Sequence, residues 1–281
     1  MRTLFKNIKE LIQVRPEPIS RVEGAQMKVL PILKNAYLWV EEGRIADFGV
    51  MSNCPEITAD EVVDASGKMI LPAWCDSHTH LVYAGNREGE FVDRIRGLSY
   101  AEIAQKGGGI LNSAKKVQEC SEESLFQQSK ERLEEVMHWG TGAIEIKSGY
   151  GLTPEAELKM LRVIRRLGDS YPLAVKATFL AAHALPDSFK GNTSTFLQTM
   201  IEDVLPLMAQ QNLASFIDVF CEKGYFSVAE MEQLLEAAST YGLVPKVHVN
   251  QFTAMGGIVA AVRHHARSVD HLEVLEPEDI K

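Results

Sequence analysis

From Met69 onward the chain alternates short apolar runs with longer stretches of helical periodicity, and this alternation constrains the fold more than any other feature. The strand-length runs are Met69–Cys75, Ala143–Lys147, Val175–Ala181, Phe216–Phe220, Pro245–Val249 and Ser268–His271. Between them lie helix-length segments, Glu122–Trp139, Pro154–Leu167, Thr195–Gln210 and Ser227–Tyr241, with apolar residues at helical spacing, as in Met231, Leu234, Leu235 and Ala238. Strands alternating with helices specify a parallel sheet, and strand runs that are apolar throughout specify burial on both faces. The expected class is α/β, with a barrel or an open doubly wound sheet both allowed at this point.

The first 67 residues have a different style. Ala36–Val40 and Arg44–Phe48 are strand-like and are broken by turn signals, and AYLWVEEGRIADFG reads as a hairpin. Residues 1–67 are expected to form a small β-rich domain and residues 68–281 a second, larger one.

In a parallel α/β fold, chemistry sits at the carboxyl ends of the strands. Titratable and polar residues gather there in this sequence. The first run leads into His78 and His80, the second into Lys147, Ser148 and Tyr150, and the third into His183. The fourth leads into Glu222 and Lys223, the fifth ends with His248, Asn250 and Gln251, and the sixth with Asp270 and His271.

His78 and His80 are the strongest local signal. In an extended segment residues i and i+2 share a side, so both imidazoles can reach one ion. His248 adds a third imidazole at the same end of the fold, which outweighs the alternative of a core histidine bonded to a carbonyl. Neutral imidazoles suit zinc and iron, and three protein ligands plus water make a catalytic rather than a closed structural site. His271 is expected to handle protons beside the metal, with a satisfied core histidine as the alternative. His183 is a candidate hydrogen-bonding partner for substrate. Arg87 could grip a carboxylate through a bidentate pair, or form a surface ion pair. His138, His264 and His265 fit helix C-termini, where they complement the dipole.

Several function classes are set aside. The net charge is −9 and no basic run stands out, which argues against a nucleic-acid partner. Cys54, Cys75, Cys120 and Cys221 form no CxxC pair, so no zinc ribbon or dithiol centre is expected. No apolar run approaches the roughly 20 residues of a membrane span and no signal peptide is seen, so the expected compartment is the cytoplasm. KGGGI at 106–110 has neither a Walker lysine nor GxGxxG spacing and reads as a flexible active-site loop. MGG at 255–257 precedes a helix, where its backbone could approach a ligand or simply turn tightly. The serine of EIKSGYG lacks the spacing of a catalytic nucleophile.

At these residues the sequence resembles the amidohydrolase superfamily, with an HxH on the first barrel strand and histidines on the fifth and sixth. CDSHTHLVYAGNRE, EFVDRIRGLSYAEIAQKGGGI, EIKSGYGL, TFLAAHALP and SVDHLE resemble the imidazolonepropionase family within it. The resemblance implies a TIM-like (β/α)8 barrel, six strands of which are present, beside a small β-sandwich built from both chain ends. It implies one zinc or iron ion on His78, His80, His248 and an aspartate of the eighth strand. It also implies substrate contacts from Arg87, Tyr150, His183 and Gln251, with Arg87 on the propionate, and a homodimer.

The activity implied is hydrolysis of the cyclic amide of 4-imidazolone-5-propanoate to N-formimidoyl-L-glutamate, a step of histidine breakdown. Gln251 stands where relatives carry Glu or Gln. An amide cannot act as a base, so His271 becomes the candidate for proton transfer and Gln251 for orienting water or substrate. Two other readings stay open: another amidohydrolase such as a nucleobase deaminase, and an inactive ligand-binding fragment. Deaminases favour Glu at the position of Gln251 and lack the EIKSGYGL block. The stretch from Lys68 holds 214 residues, against about 250 in a typical barrel. Strands seven and eight, the metal aspartate and the rest of the small domain are therefore expected beyond Lys281.

Overall fold

The computed structural model describes residues 1–15, 17, 19–99, 102–103 and 108–280. Lys106 and Gly107 of the glycine cluster lie outside the described residues. The chain divides into two compact units, Met1–Ala73 and Trp74–Lys281.

The first unit is a five-stranded sheet, β3-β2-β1-β4, with β5 also paired to β1. Its strands are β1 (Arg2–Ile12), β2 (Ile32–Glu41), β3 (Arg44–Val50), β4 (Glu61–Asp64) and β5 (Met69–Ile70). β2 and β3 form the expected hairpin, closing at the Glu41–Arg44 pair. Gly43 takes a φ of 75° at this turn, a conformation that costs glycine little. Ile8, Leu11, Ala36, Leu38 and Ala65 make the core of this unit.

The apolar run Met69–Cys75 is not one strand. Met69 and Ile70 pair in parallel with Glu10 and Leu11 of β1, whereas the barrel strand β6 begins at Trp74. Pro72 separates them; a proline has no N–H to give a ladder and interrupts a strand.

The second unit holds six parallel strands in the order β11-β10-β9-β8-β7-β6. They are β6 (Trp74–Thr79), β7 (Thr141–Lys147), β8 (Ala174–Ala182), β9 (Phe216–Cys221), β10 (Val244–Val249) and β11 (Ser268–His271). Sequential order with helices in every connection is the arrangement of a (β/α) barrel wall. Period 2 divides each strand between two environments. Ile144, Ile146, Phe179, Ile217, Val219, Val247 and Val249 pack in one core with Leu133, Leu161, Ile164, Leu167, Leu234 and Leu235 of the helices. The alternate positions Glu145, Lys147, Asp218, Lys246 and His248 are buried and polar, and they meet one another on the opposite face.

Local signals set the helix ends. Helix Glu122–His138 is capped by Ser121 and ends on His138. Helix Pro154–Ser170 is capped by Thr153 and has proline in its first turn. His264 caps the C-terminus of helix Gly257–Arg263. A Cβ on Gly257 would stand 2.9 Å from a Val249 methyl, so the MGG segment serves close helix–strand packing. Helix Val228–Ser239 starts with a full capping box, Ser227 Oγ accepting from Glu230 N and Glu230 Oε2 from Ser227 N. Ser227→Ala is expected to cost about 1 kcal/mol, read as a lower urea midpoint; an unchanged midpoint would count against the cap. Among the described residues no helix is long and apolar enough to cross a membrane.

Candidate functional site

The carboxyl ends of β6, β7, β8, β10 and β11 bring His78, His80, Tyr150, His183, His248 and His271 into one cluster of rings. His248 lies at its centre, 4.6 Å from His78, 4.9 Å from His271, 5.5 Å from His80 and 5.8 Å from His183 between ring centroids. His80 and His183 stack at 5.1 Å, and Tyr150 is 5.3 Å from each.

Among the described residues, two sets of three imidazoles have nitrogens within 4.8 Å of one another: His78, His248 and His271, and His80, His183 and His248. His248 belongs to both. His78, His80 and His248, the ligand set expected from the sequence, are split between them, although their rings adjoin. His248 Nε2 and His80 Nδ1 are buried and have no hydrogen-bond partner among the described residues. A buried polar atom left unpaired costs free energy, and a cation would satisfy both nitrogens. These residues therefore fit a metal ion.

The histidines are oriented from below. His248 Nδ1 lies 2.7 Å from Asp218 Oδ2, and His78 Nδ1 lies 2.9 Å from Asp270 Oδ2. Asp218 would be raised by burial, but His248 and Lys147 more than offset this and hold it well below the usual carboxylate range. Asp270 would also be raised by burial, yet its bond to His78 and the charge of Lys147 bring it down to about 2. Both carboxylates can only accept, so each histidine donates from Nδ1 and directs Nε2 toward the cluster.

Beneath these pairs lies a buried charge network. Lys147 Nζ is 2.9 Å from Glu145 Oε1, 2.9 Å from Asp218 Oδ2 and 3.4 Å from Asp270 Oδ2. Burial alone would lower the Lys147 pKa; Asp218 and Glu145 outweigh it and the net shift is upward. Lys246 Nζ approaches Glu145 Oε2 at 3.1 Å. Three carboxylates face two ammonium groups, which leaves one negative charge in excess next to the unpaired imidazole nitrogens. That electrostatic balance also favours a cation.

Three imidazoles of the cluster, His80, His183 and His271, are shifted downward. Burial, with His183 beside it, takes His80 well below its ordinary value. Burial and His248 push His183 down to about 3. His183 Nδ1 lies 3.1 Å from the Gly149 carbonyl, which fixes that nitrogen as the donor and leaves Nε2 as an acceptor. His271 is also lowered, by burial and by His248; its Nδ1 is 3.4 Å from Glu273.

Beside the cluster is a cavity of about 230 Å³ lined by His80, Tyr83, Asn86, Arg87, Ser113 and Tyr150 among others. Arg87 Nε donates to Glu90 Oε2 at 2.8 Å. Glu90 also accepts from Gly109 N and Asn112 Nδ2. Arg87 is therefore both an ion-pair partner and part of the cavity wall. Gln251 is half-buried three residues past His248, and among the described residues no contact places it in the ring cluster.

Sequence reasoning did not single out Asp218, Glu145 or Lys246, and it saw Lys147 only as a strand-end residue. The available signal was a charged residue interrupting an apolar strand, as in FIDVF and AIEIK. A charge on a buried face needs a partner.

No family model matches the chain. It is 60% identical over all 281 residues to an imidazolonepropionase of Flavobacterium johnsoniae, covering 68% of that protein. The chain belongs to the imidazolonepropionase family. An imidazolonepropionase of Geobacillus sp. (strain WCH70) is 39% identical, again with all of this chain and 68% of that protein covered. Among solved structures, a guanine deaminase from C. acetobutylicum superposes with a TM-score of 0.58. It is 15% identical, and the match covers 100% of this chain and 64% of that one. At that identity the likeness concerns the fold alone.

Proposed function

We propose that the chain hydrolyses the cyclic amide of 4-imidazolone-5-propanoate to N-formimidoyl-L-glutamate, with a zinc or iron ion held by His78, His80 and His248. The observation that carries this reading is the pair of unpaired buried nitrogens on His80 and His248, beside a cavity lined by Arg87 and Tyr150. A bound ion of this kind supplies Lewis acidity, polarising the carbonyl and making water more acidic.

The chain's own residues do the rest. Asp218 and Asp270 hold His248 and His78 in the tautomer that leaves Nε2 free. Arg87, steadied by Glu90, receives the propionate, where a guanidinium fits a carboxylate. His183 Nε2 accepts from a ring N–H, and Tyr150 packs beside the ring. Water oxygen bonds to the carbonyl carbon, the ring C–N bond breaks, and a proton reaches the released nitrogen. His271 is neutral near pH 7, because its pKa is lowered, and is suited to take the proton from water and deliver it. Gln251 orients water or substrate, since an amide cannot act as the base.

The test is loss of the ultraviolet absorbance of 4-imidazolone-5-propanoate with purified chain, with zinc or iron added and with a chelator. Turnover that the chelator stops is expected. A folded, metal-loaded chain that leaves this substrate unchanged overturns the assignment.

A further inference from the structure

We propose that Glu157, outside the ring cluster and on the first turn of helix Pro154–Ser170, is a positioning residue that sets both Tyr150 and the tautomer of His183. This rests on the substrate roles proposed above for those two residues.

The segment Ser148–Leu152 leaves β7 and folds back onto the helix. Ser148, Gly149, Gly151 and Leu152 are all buried; Tyr150 alone is not. A buried loop must find partners for its backbone groups. Glu157, itself 1% exposed, provides three of them. Its Oε2 accepts from Gly149 N at 2.8 Å, and its Oε1 accepts from Gly151 N at 2.7 Å and from Leu152 N at 2.8 Å. The Ser148 hydroxyl donates to the same carboxylate. Other bonds of the loop run from Ser148 N to Thr178 O, from Gln118 Nε2 to Gly151 O and from Leu180 N to Ser148 Oγ.

The glycines on either side of Tyr150 show how closely the loop is fitted. A Cβ on Gly151 would lie 2.4 Å from Glu157 N, and one on Gly149 2.7 Å from Leu180 Cγ. Gly149 takes a φ of 97° and Leu152 a φ of 54°. Leu152 is thus held in a left-handed conformation that a leucine seldom adopts, and its N–H is one of those that Glu157 binds.

Gly149 links the loop to the chemistry. Its N–H is held by Glu157, and the carbonyl on its other side accepts from His183 Nδ1. Fixing this glycine fixes the direction of the carbonyl, hence which His183 nitrogen carries the proton. Tyr150, the next residue, is held between two anchored glycines with its ring toward His80 and His183. No other side chain among the described residues holds three backbone N–H groups of this loop.

The test uses the metal-loaded chain and Glu157→Gln. A glutamine matches the shape but turns an NH2 toward one of the N–H groups. Two readouts are taken: steady-state kinetics on 4-imidazolone-5-propanoate, and the ¹⁵N NMR spectrum of histidine-labelled protein, which distinguishes Nδ1–H from Nε2–H. The wild type is expected to show His183 as the Nδ1–H tautomer. The variant is expected to show a mixture and to lose about 100-fold in kcat/KM, carried largely by KM. A folded Glu157→Gln protein with wild-type kinetics and an unchanged His183 tautomer overturns the proposal. Should Glu157→Gln not accumulate as folded protein, Ser148→Ala, which removes one partner of the carboxylate, is read in the same way. A loss of about tenfold with a shifted tautomer supports the role, and wild-type behaviour overturns it. If the wild type itself does not turn over this substrate, the functional reading fails and the kinetic half of the proposal falls with it, whereas the tautomer readout still tests whether Glu157 governs His183.

Discussion

Replacing Lys147 by methionine is expected to destabilise the second unit by about 3–5 kcal/mol, the range for removing one partner of a buried ion pair. Lys147 is fully buried, and its ammonium lies within 2.9 Å of Glu145 and Asp218 and 3.4 Å of Asp270. Methionine fills much the same volume, so packing is largely kept and the loss is electrostatic. Glu145 retains Lys246, Asp218 retains His248 and Asp270 retains His78. Even so, the negative excess in the interior rises from one charge to two. A divalent cation on the neighbouring imidazoles offsets part of that excess, so the destabilisation should be smaller in protein loaded with zinc than in metal-free protein. Urea midpoints of wild type and Lys147→Met, each with and without zinc, measure both effects. Equal midpoints for the two proteins would show that the three carboxylates do not depend on this ammonium.

The same network shows what the sequence could and could not disclose. The strands were visible because their residues alternate with helices of 3.6-residue period, and five of the six barrel strands of the structure follow the apolar runs closely. The histidines were visible because they stand at strand ends. The pairing beneath them was not, since Lys147 meets Asp218 and Asp270 across 71 and 123 residues of chain. Only the parallel register brings them together, and register is a property of the folded sheet. Met69–Cys75 failed as a single strand for a related reason. An apolar run does not state its pairing partner, and its first two residues pair with β1. Glu157 was harder still. Within its helix it is one acidic residue among several, and its burial arises from the loop that folds over it. The expected metal set of His78, His80 and His248 was legible as residue types, whereas the division of the imidazoles into two triplets around His248 required coordinates.

Asp218→Asn is expected to weaken metal retention, or activity, by about 10–100-fold, the usual cost of removing the group that orients a ligating histidine. Asp218 accepts from the His248 backbone N–H at 3.0 Å through Oδ1 and pairs with His248 Nδ1 through Oδ2 at 2.7 Å. An asparagine can keep only one of these acceptors. With its oxygen on the backbone N–H, its NH2 faces His248 Nδ1 and demands a lone pair there. The ring then carries its proton on Nε2, the nitrogen that is buried and unpaired in the native arrangement and that a metal would occupy. The substitution also removes one negative charge from beside Lys147, which relieves the excess, so the fold should tolerate it better than Lys147→Met. Stability and metal affinity are therefore expected to separate: a modest change in the urea midpoint of the metal-free protein, and a large change in zinc affinity measured by competition with a chromophoric chelator. Were zinc affinity to stay at the wild-type level in folded Asp218→Asn, His248 would not be ligating through Nε2. The His78–His248–His271 and His80–His183–His248 groups would then both lose the residue they share.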